Sequence, residues 1–285
     1  YYEYDKKVEE QSRKYDHIFP SLAVSFPLGN VQMQLAYRAS IKRPSYWDLR
    51  SNITYANRYT YETGNPLLQP TTIQSLSLNT IYRWMSLSLS YNHYKNDYTS
   101  YVRAYSEENP TIGLLTREHI APYNRLSASL TLSPVIGKWS PRWGVQVQRY
   151  DCKVDTPRGV ETFDNPRAIL SWRNTVKFTD SFWINADAYY QTKSQIDNTE
   201  YLENSWYMNL NLYKGFLNNR MSLQLQVTDL FNTRKSHVLM YSGLRTMELD
   251  NEMRRTVSLT FRYKFNPTKS KYKGTGAGQS QKARM

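Results

Sequence analysis

The chain has 285 residues, including 25 Tyr and 7 Trp, and its mean hydropathy of -0.71 is polar. No run of about 18 apolar residues occurs, which excludes a helical membrane protein but not a β-barrel, whose membrane strands are half polar. The formal net charge is +13, yet no recognition helix, zinc spacing or aromatic-basic motif accompanies it. We therefore predict no nucleic-acid partner and assign the excess charge to loops that face anionic lipid.

The first predicted strands follow a charged, aperiodic segment at residues 1–17. Apolar and polar residues alternate through residues 19–26, turn at Pro27–Asn30 and alternate again through residues 31–41. A period of two is typical of a strand, whose side chains point to opposite faces in turn. A long aromatic segment at residues 42–72 is then predicted to be a loop.

The clearest repeating unit is the hairpin of residues 73–94. One parity is apolar and the other is polar and uncharged, as in Leu76, Leu78, Leu87 and Leu89 against Ser75, Ser77, Ser88 and Ser90. The connection is only Arg83-Trp84, so the two arms are predicted to be antiparallel neighbours. The second arm is expected to continue through Tyr98 and Tyr101 before a loop at about residues 104–121.

The same pattern recurs towards the C-terminus. Further strands are predicted at about residues 126–133, 143–148, 170–178, 182–190, 206–212, 221–227 and 257–265. Their turns are predicted at residues 134–141, 179–180 and 217–220. Residues 266–285 contain Gly274, Gly276 and Gly278 and are predicted to form a periplasmic tail.

About eleven strands result, and their connections alternate strictly between short and long. A soluble β-sandwich has no reason for this alternation, whereas outer-membrane barrels have short periplasmic turns and long extracellular loops. The sequence therefore predicts an all-β, antiparallel up-and-down transmembrane β-barrel at residues 1–265, in the outer membrane of a Gram-negative bacterium. Residues 1–17 and 42–72 are predicted to be extracellular loops. The apolar faces contact lipid and lipopolysaccharide, and the uncharged polar faces line the lumen.

The odd strand number has a further implication. Bacterial single-chain barrels have an even number of strands, and an open sheet in lipid leaves its edge N–H and C=O groups unpaired. We therefore expect these residues to be the C-terminal half of a barrel of roughly 22 strands, whose earlier strands lie upstream of Tyr1.

Four stretches carry a resemblance to a known family. They read Arg43-Pro44-Ser45-Tyr46-Trp47-Asp48-Leu49 with Gly64-Asn65-Pro66-Leu67-Leu68-Gln69-Pro70, then Phe19-Pro20-Ser21-Leu22, then Val227-Thr228-Asp229-Leu230-Phe231-Asn232-Thr233, and finally Phe261-Arg262-Tyr263-Lys264-Phe265-Asn266 before Tyr272–Gly278. In this order they resemble the barrels of TonB-dependent receptors and transporters, in particular the outer-membrane β-barrel family common in Bacteroides-like bacteria. Thr71 departs from the family pattern, which often places Glu after this proline.

The resemblance implies a function for the whole protein. It implies energy-coupled uptake of a solute too large for general porins, with an N-terminal plug and the TonB energy-coupling complex as partners. A passive porin-like channel and a surface-binding barrel that transports nothing are the alternatives.

The loop residues that we predict to bind the solute are aromatic or basic. They form a potential stacking and hydrogen-bonding surface for a sugar, a peptide or a chelate, and they are Tyr46, Trp47, Arg50, Tyr55, Arg58, Tyr59 and Tyr61. The alternative is that these side chains pack the loops against one another. The Gly64-Asn65-Pro66 loop is a further expected place for selectivity.

No catalytic constellation, metal spacing or cofactor motif stands out, so we predict no enzyme activity, no metal and no cofactor. His93 has the lipid-facing parity of its strand and is interpreted as an interfacial histidine beside Tyr91 and Tyr94. The lone cysteine, Cys152, excludes an intramolecular disulfide.

Overall fold

The computed structural model describes residues 18–265, and over this range it contains one short helix and twenty strands. The helix is α1 (Tyr46–Leu49), and the strands are β1 (Ser21–Leu28), β2 (Val31–Lys42), β3 (Thr54–Asn57), β4 (Thr60–Glu62), β5 (Thr71–Tyr82), β6 (Met85–Lys95), β7 (Tyr98–Ala104), β8 (Gly113–His119), β9 (Tyr123–Leu132), β10 (Trp139–Thr156), β11 (Gly159–Phe163), β12 (Arg167–Thr179), β13 (Phe182–Gln191), β14 (Ser194–Ile196), β15 (Thr199–Tyr201), β16 (Ser205–Phe216), β17 (Met221–Thr228), β18 (Lys235–Ser242), β19 (Arg245–Glu252) and β20 (Thr256–Tyr263). No helix within residues 18–265 has the length and apolar character needed to cross a membrane.

The main sheet follows the chain in an up-and-down order. Its strands lie in the order β1-β2-β5-β6-β9-β10-β12-β13-β16-β17-β20, and β11 extends β10 beyond the sheet. Each pair of neighbours in this order is antiparallel, and these strands are the eleven that the sequence pattern predicts. Within the described range β1 and β20 each have a neighbour on one side only, so the sheet is open, which fits part of a barrel.

The two faces of the sheet differ as the alternation predicts. Leu78 lies opposite Leu89 on one face, while Ser77 lies opposite Ser90 on the other. The polar face is held by side-chain bonds across the strands, such as Ser88 Oγ to Asn79 Oδ1 at 2.7 Å. The apolar face is exposed along the sheet, as at Leu76, Leu89, Leu126, Leu170, Trp172, Leu223, Leu259 and Phe261.

The expectation that the polar face is uncharged is wrong further along the sheet. Arg173 Nε donates to Asp187 Oδ1 at 3.1 Å, and Arg142 lines the same hollow in this face. Tyr189 stacks on Tyr207 beside them, with ring centroids 5.1 Å apart. These residues have the parity of Ser and Asn in their strands, and the ion pair across β12 and β13 reduces the cost of placing charge there.

The short connections are confirmed in position. Residues 29–30, 83–84, 180–181 and 217–220 join neighbouring strands, so the turn predicted at residues 27–30 is shorter and the one predicted at 179–180 lies one residue later. Arg83 adopts a positive φ of 50° in its two-residue turn. The turn expected at residues 134–141 is shorter, because β10 begins at Trp139. Aromatic pairs lie near these turns, as is typical of a membrane interface: Trp139 with Trp143, Phe178 with Phe182, and Trp183 with Tyr213.

The long connections contain strands of their own, which the sequence analysis did not predict. One small sheet has the order β3-β4-β8-β7 and the other β14-β15-β18-β19; we call them the first and second loop sheets. The arm expected to run on through Tyr98 and Tyr101 instead ends at Lys95, because Asn96 turns the chain with a φ of 57°. β7 therefore belongs to the first loop sheet and not to the main sheet.

A buried cluster joins the main sheet to the second loop sheet. Tyr94 and Tyr123 stack with ring centroids 4.7 Å apart, and Phe163 and Tyr241 pack edge to face. Cys152 is also buried in this cluster. Apolar burial at this level fixes the base of the second loop sheet on the ends of β6, β9 and β10.

A buried aspartate shapes the connection after β17. Asp229 is 0% exposed, and its carboxylate accepts hydrogen bonds from the backbone N–H of Thr233 at 2.9 Å and of Arg234 at 3.0 Å. Its own N–H donates to Asn209 Oδ1 at 3.0 Å. Asp229 and Asn232 both have positive φ, so the stretch forms a tight corner that starts the long connection.

Candidate ligand-binding surface

Helix α1 is fixed by a network around Asp48. Ser45 caps the helix: its Oγ accepts the Asp48 N–H, and its own N–H and O–H donate to the Asp48 carboxylate. Arg117 Nε donates to Asp48 Oδ1 at 3.0 Å, and the Tyr98 hydroxyl donates to Asp48 Oδ2 at 3.2 Å. Burial alone would raise the pKa of Asp48, but the hydrogen bonds from Ser45 and Arg117 hold it below its usual value.

The Gly64-Asn65-Pro66 loop braces this helix. The Asn65 N–H donates to the Asp48 carbonyl at 2.6 Å, and Asn65 Nδ2 donates to the Arg117 carbonyl at 2.9 Å. Thr116 Oγ1 donates to the Gly64 carbonyl at 3.0 Å. The contacts of Gly64 and Asn65 thus hold this loop against α1 and β8, and a role of the loop in selectivity stays a prediction.

Gly64→Ala is expected to loosen α1 and to lower the free energy of unfolding by about 1–3 kcal/mol, because the backbone must shift to make room for the methyl group. A Cβ at Gly64 would meet the Asp48 carbonyl and would lie 2.6 Å from the oxygen and 2.7 Å from the nitrogen of the Arg50 backbone. Limited proteolysis should then cleave residues 43–66 faster than in the parent protein. Gly137→Ala is the control: alanine is strained there by the φ of 60°, but a Cβ meets nothing within 4 Å and the strain lies in the turn before β10, so cleavage of residues 43–66 should be unchanged.

The predicted binding residues divide into exposed ones and supporting ones. Tyr46 and Trp47 on α1 are 95% and 63% exposed, and Tyr55, Arg58 and Tyr59 are exposed on and beside β3 and β4. The Arg58 guanidinium lies 4.6 Å from the centre of the Tyr59 ring. Arg50 contacts the Trp47 ring and also donates to Thr54 Oγ1 and Glu62 Oε2, so α1 lies against the β3–β4 hairpin. We call the five exposed side chains on these two neighbouring elements the α1–β4 surface.

Arg50 and Tyr61 support that surface from within. The Arg50 side chain is 10% exposed; its guanidinium lies 3.4 Å from the centre of the Trp47 ring and 3.5 Å from Glu62 Oε2. Tyr61 contacts Tyr55 edge to face and stacks on Tyr105, with ring centroids 5.8 and 4.7 Å away. The side chains of Arg50 and Tyr61 thus pack the loop elements against one another, which is the alternative given for these residues above.

The second loop sheet reaches the first through the tip of the β18–β19 hairpin, a contact that sequence reasoning missed. Gly243 forms a parallel bridge with Val102, and the Leu244 N–H donates to the Val102 carbonyl at 2.9 Å. Arg245 donates to Thr60 Oγ1 at 2.8 Å and to the Tyr59 carbonyl at 2.7 Å. A residue from a distant connection therefore positions the backbone of the α1–β4 surface.

His93 lies on the apolar face, as its parity predicts. Its Nδ1 is 2.9 Å from Asn124 Oδ1, which also accepts a hydrogen bond from the Tyr91 hydroxyl at 2.8 Å. This grouping of a histidine and a tyrosine at the end of two sheet strands suits a residue at the membrane interface.

The fold defines a class of protein. One apolar and one polar face, antiparallel neighbours, and alternating short and long connections are the features of transmembrane β-barrels. Residues 1–263 match the model of the outer membrane protein beta-barrel family, and the chain belongs to this family. It is a protein of the outer membrane of a Gram-negative bacterium, as predicted.

Solved receptors share this fold. A mutant of the ferric enterobactin receptor of Pseudomonas aeruginosa matches with a TM-score of 0.56 and 16% identity over 87% of this chain and 40% of its own. The pyoverdine outer membrane receptor of the same species matches with a TM-score of 0.55 and 15% identity, over 87% of this chain and 36% of its own. The siderophore receptor PirA of Acinetobacter baumannii matches with a TM-score of 0.53 and 12% identity, over 87% of this chain and 41% of its own.

These matches confirm the resemblance to the barrel portion of TonB-dependent receptors. The chain spans about two fifths of the length of the solved receptors that it matches. No curated protein matches it.

Proposed function

We propose that the protein takes up, across the outer membrane, a solute too large for general porins. The observation that carries the proposal is the α1–β4 surface, in which ordered loop sheets present exposed aromatic rings and an arginine beyond the end of the barrel strands. A passive pore needs no such surface. Solute bound there would pass along the polar face of the sheet, whose Ser, Asn, Gln and Arg side chains can replace its hydration.

The orientation belongs to the same proposal. The two loop sheets face outside the cell, and the short turns face the periplasm, as in other barrels of this kind. Residues 42–72 are then extracellular, and the tail at residues 266–285 is periplasmic. The tail and residues 1–17 lie outside the described residues. Outward-facing loops would place the α1–β4 surface where solute first meets the protein.

We assign the binding contacts to Tyr46, Trp47, Tyr55, Arg58 and Tyr59, with Arg50 and Tyr61 holding them in place. Aromatic faces provide stacking area at low conformational cost, and the guanidinium of Arg58 provides a directional donor. The solute class is therefore one with planar or ring-shaped groups and hydrogen-bond acceptors. Sugars, peptides and chelates share these features.

Energy coupling is assigned by analogy with the receptors of the same fold. The solved receptors are named for siderophores, and each is more than twice the length of this chain. A barrel completed by further strands and closed by a plug would need the TonB complex to open it. Such a plug and the complex are the partners that we propose for the whole protein.

Depletion of the growth medium tests the proposal. Mass spectrometry should show compounds that intact cells remove, and the same compounds should remain in the medium when either this gene or TonB is deleted. Removal that needs this gene but not TonB would indicate a passive channel. Removal that is unchanged without the gene would overturn uptake and favour a surface-binding barrel.

A further inference from the structure

A cavity of about 220 Å³ lies between the first loop sheet, the β14–β15 turn and the β10–β11 ribbon. The hairpin tip at Gly243 closes one side of it. Its charged and aromatic lining residues are Tyr101, Glu118, His119, Lys153, Asp155, Asp197 and Tyr241. The cavity is separate from the α1–β4 surface and is formed by four different long connections.

The lining carries a net negative charge. Glu118, Asp155 and Asp197 make no ion pair with any described residue, and Lys153 is the one lysine among the lining residues. Both ring nitrogens of His119 already have partners, since Nε2 accepts the Gln69 N–H at 3.0 Å and Nδ1 lies 3.1 Å from the Asn96 carbonyl. The lining residues thus include three carboxylates and one ammonium group, in a chain whose total charge is +13. Lys42, outside the lining, acts on Asp197 and lowers its pKa against the effect of burial.

The tyrosines and the carboxylates lie close together. Burial raises the pKa of Tyr101, and the charges of Asp155 and Glu118 add to this shift. Burial and the charge of Asp97 raise the pKa of Asp197. A cation in the cavity would offset the repulsion between these carboxylates, and Tyr101 and Tyr241 line the same space.

The spacing of the carboxylates disfavours a bare metal ion. Among the described residues, the one group of three ligating side chains whose atoms converge within 4.8 Å is His237, Glu248 and Asp250, on the β18–β19 hairpin and outside this cavity. Ile120, Val154 and Val160 are also among the residues that line the cavity. Carboxylates that are spread around tyrosines and apolar groups suit a bulkier organic cation.

We propose that this cavity binds an ammonium group carried on a small apolar or aromatic stem, as one part of the transported solute. The inference rests on the proposed uptake function, which it extends to a substrate class. Pockets for whole ligands are about 300–1,000 Å³, so a smaller cavity takes one group of a larger molecule.

Binding of a simple amine to the full-length protein in detergent tests the inference. The probe is 4-fluorobenzylamine, protonated at pH 7.5, and its neutral counterpart is 4-fluorobenzyl alcohol, with binding followed by ¹⁹F NMR. The amine should bind saturably and at least about tenfold more tightly than the alcohol, since only the ammonium pairs with the carboxylates. Equal binding of the two probes would overturn the proposal.

Charge removal within the cavity provides the second arm. Glu118→Gln with Asp155→Asn should weaken amine binding about tenfold or more, because two charge-assisted contacts are lost. The matched control is Glu107→Gln with Glu108→Gln, which removes two charges from the β7–β8 connection outside the cavity. Unfolding midpoints verify that both variants are folded, and equal amine binding by the two would contradict the assignment.

The two proposals fail in different ways. If amine binding is absent while cells still deplete solutes in a TonB-dependent manner, the cavity assignment alone is overturned. If amine binding is present but depletion is unchanged without the gene, the uptake function is overturned.

Discussion

Leu89→Arg should destabilise the folded protein by about 2–4 kcal/mol, because the guanidinium would stand near the middle of the lipid-facing side of the barrel. Leu89 is at the centre of β6 and lies opposite Leu78 and Ala128 on the apolar face. Urea titration of the full-length protein in phospholipid vesicles, followed by tryptophan fluorescence, measures the change in the free energy of unfolding.

Ser90→Arg is the matched control, one residue along the same strand. Ser90 lies opposite Ser77 and Ser127 on the polar face, where an arginine keeps its hydration. We expect its cost to be below about 1 kcal/mol, as for substitutions at hydrated surface positions. If both arginines cost the same, the assignment of the two faces is wrong.

The second large effect is expected for Asp229→Ala, which should lower the free energy of unfolding by about 3 kcal/mol. The buried N–H groups that donate to the carboxylate would lose their partner. The N–H groups of Thr233 and Arg234 both donate to this carboxylate, and Thr233 Oγ1 lies 3.3 Å from it. The positive φ of 54° at this position adds strain for alanine. Denaturant unfolding of the whole protein gives the value.

Asp164→Ala is the comparison for the aspartate at the corner. The Asp164 carboxylate is 51% exposed and pairs with Arg149 at 2.9 Å, so its loss should cost below about 1 kcal/mol. Asp229→Asn keeps one acceptor oxygen and should fall between the two alanine variants. Equal losses at Asp164 and Asp229 would contradict a structural role for the corner.

The eleven barrel strands were predictable because each has one apolar face in contact with lipid. That constraint imposes a period of two over many residues, as in Leu76, Leu78 and Thr80 against Ser75, Ser77 and Asn79. Two-residue turns such as Arg83-Trp84 then fix the register of the neighbouring strand. Both signals are local, so one sequence is enough to read them.

The loop sheets were not predictable for the opposite reason. β4 has three residues and pairs in parallel with β8, about fifty positions later, so no local period marks either strand. The same holds for the candidate site. The exposed aromatic residues of α1 could be selected by composition, but the contact of Arg245 with Tyr59 crosses most of the chain. The cavity has contributions from four connections and leaves no continuous motif.

The bridge between Val102 and Gly243 has a consequence for how such proteins diverge. Gly243 has a φ of 62°, and a Cβ there would lie 2.7 Å from the ring of Tyr101, so the two connections fit each other only with glycine at the tip. An insertion in either connection would break the main-chain hydrogen bonds that join the loop sheets. New specificity is therefore expected to arise through paired changes in both connections, or through exchange of the whole loop layer, and not through drift of one loop alone.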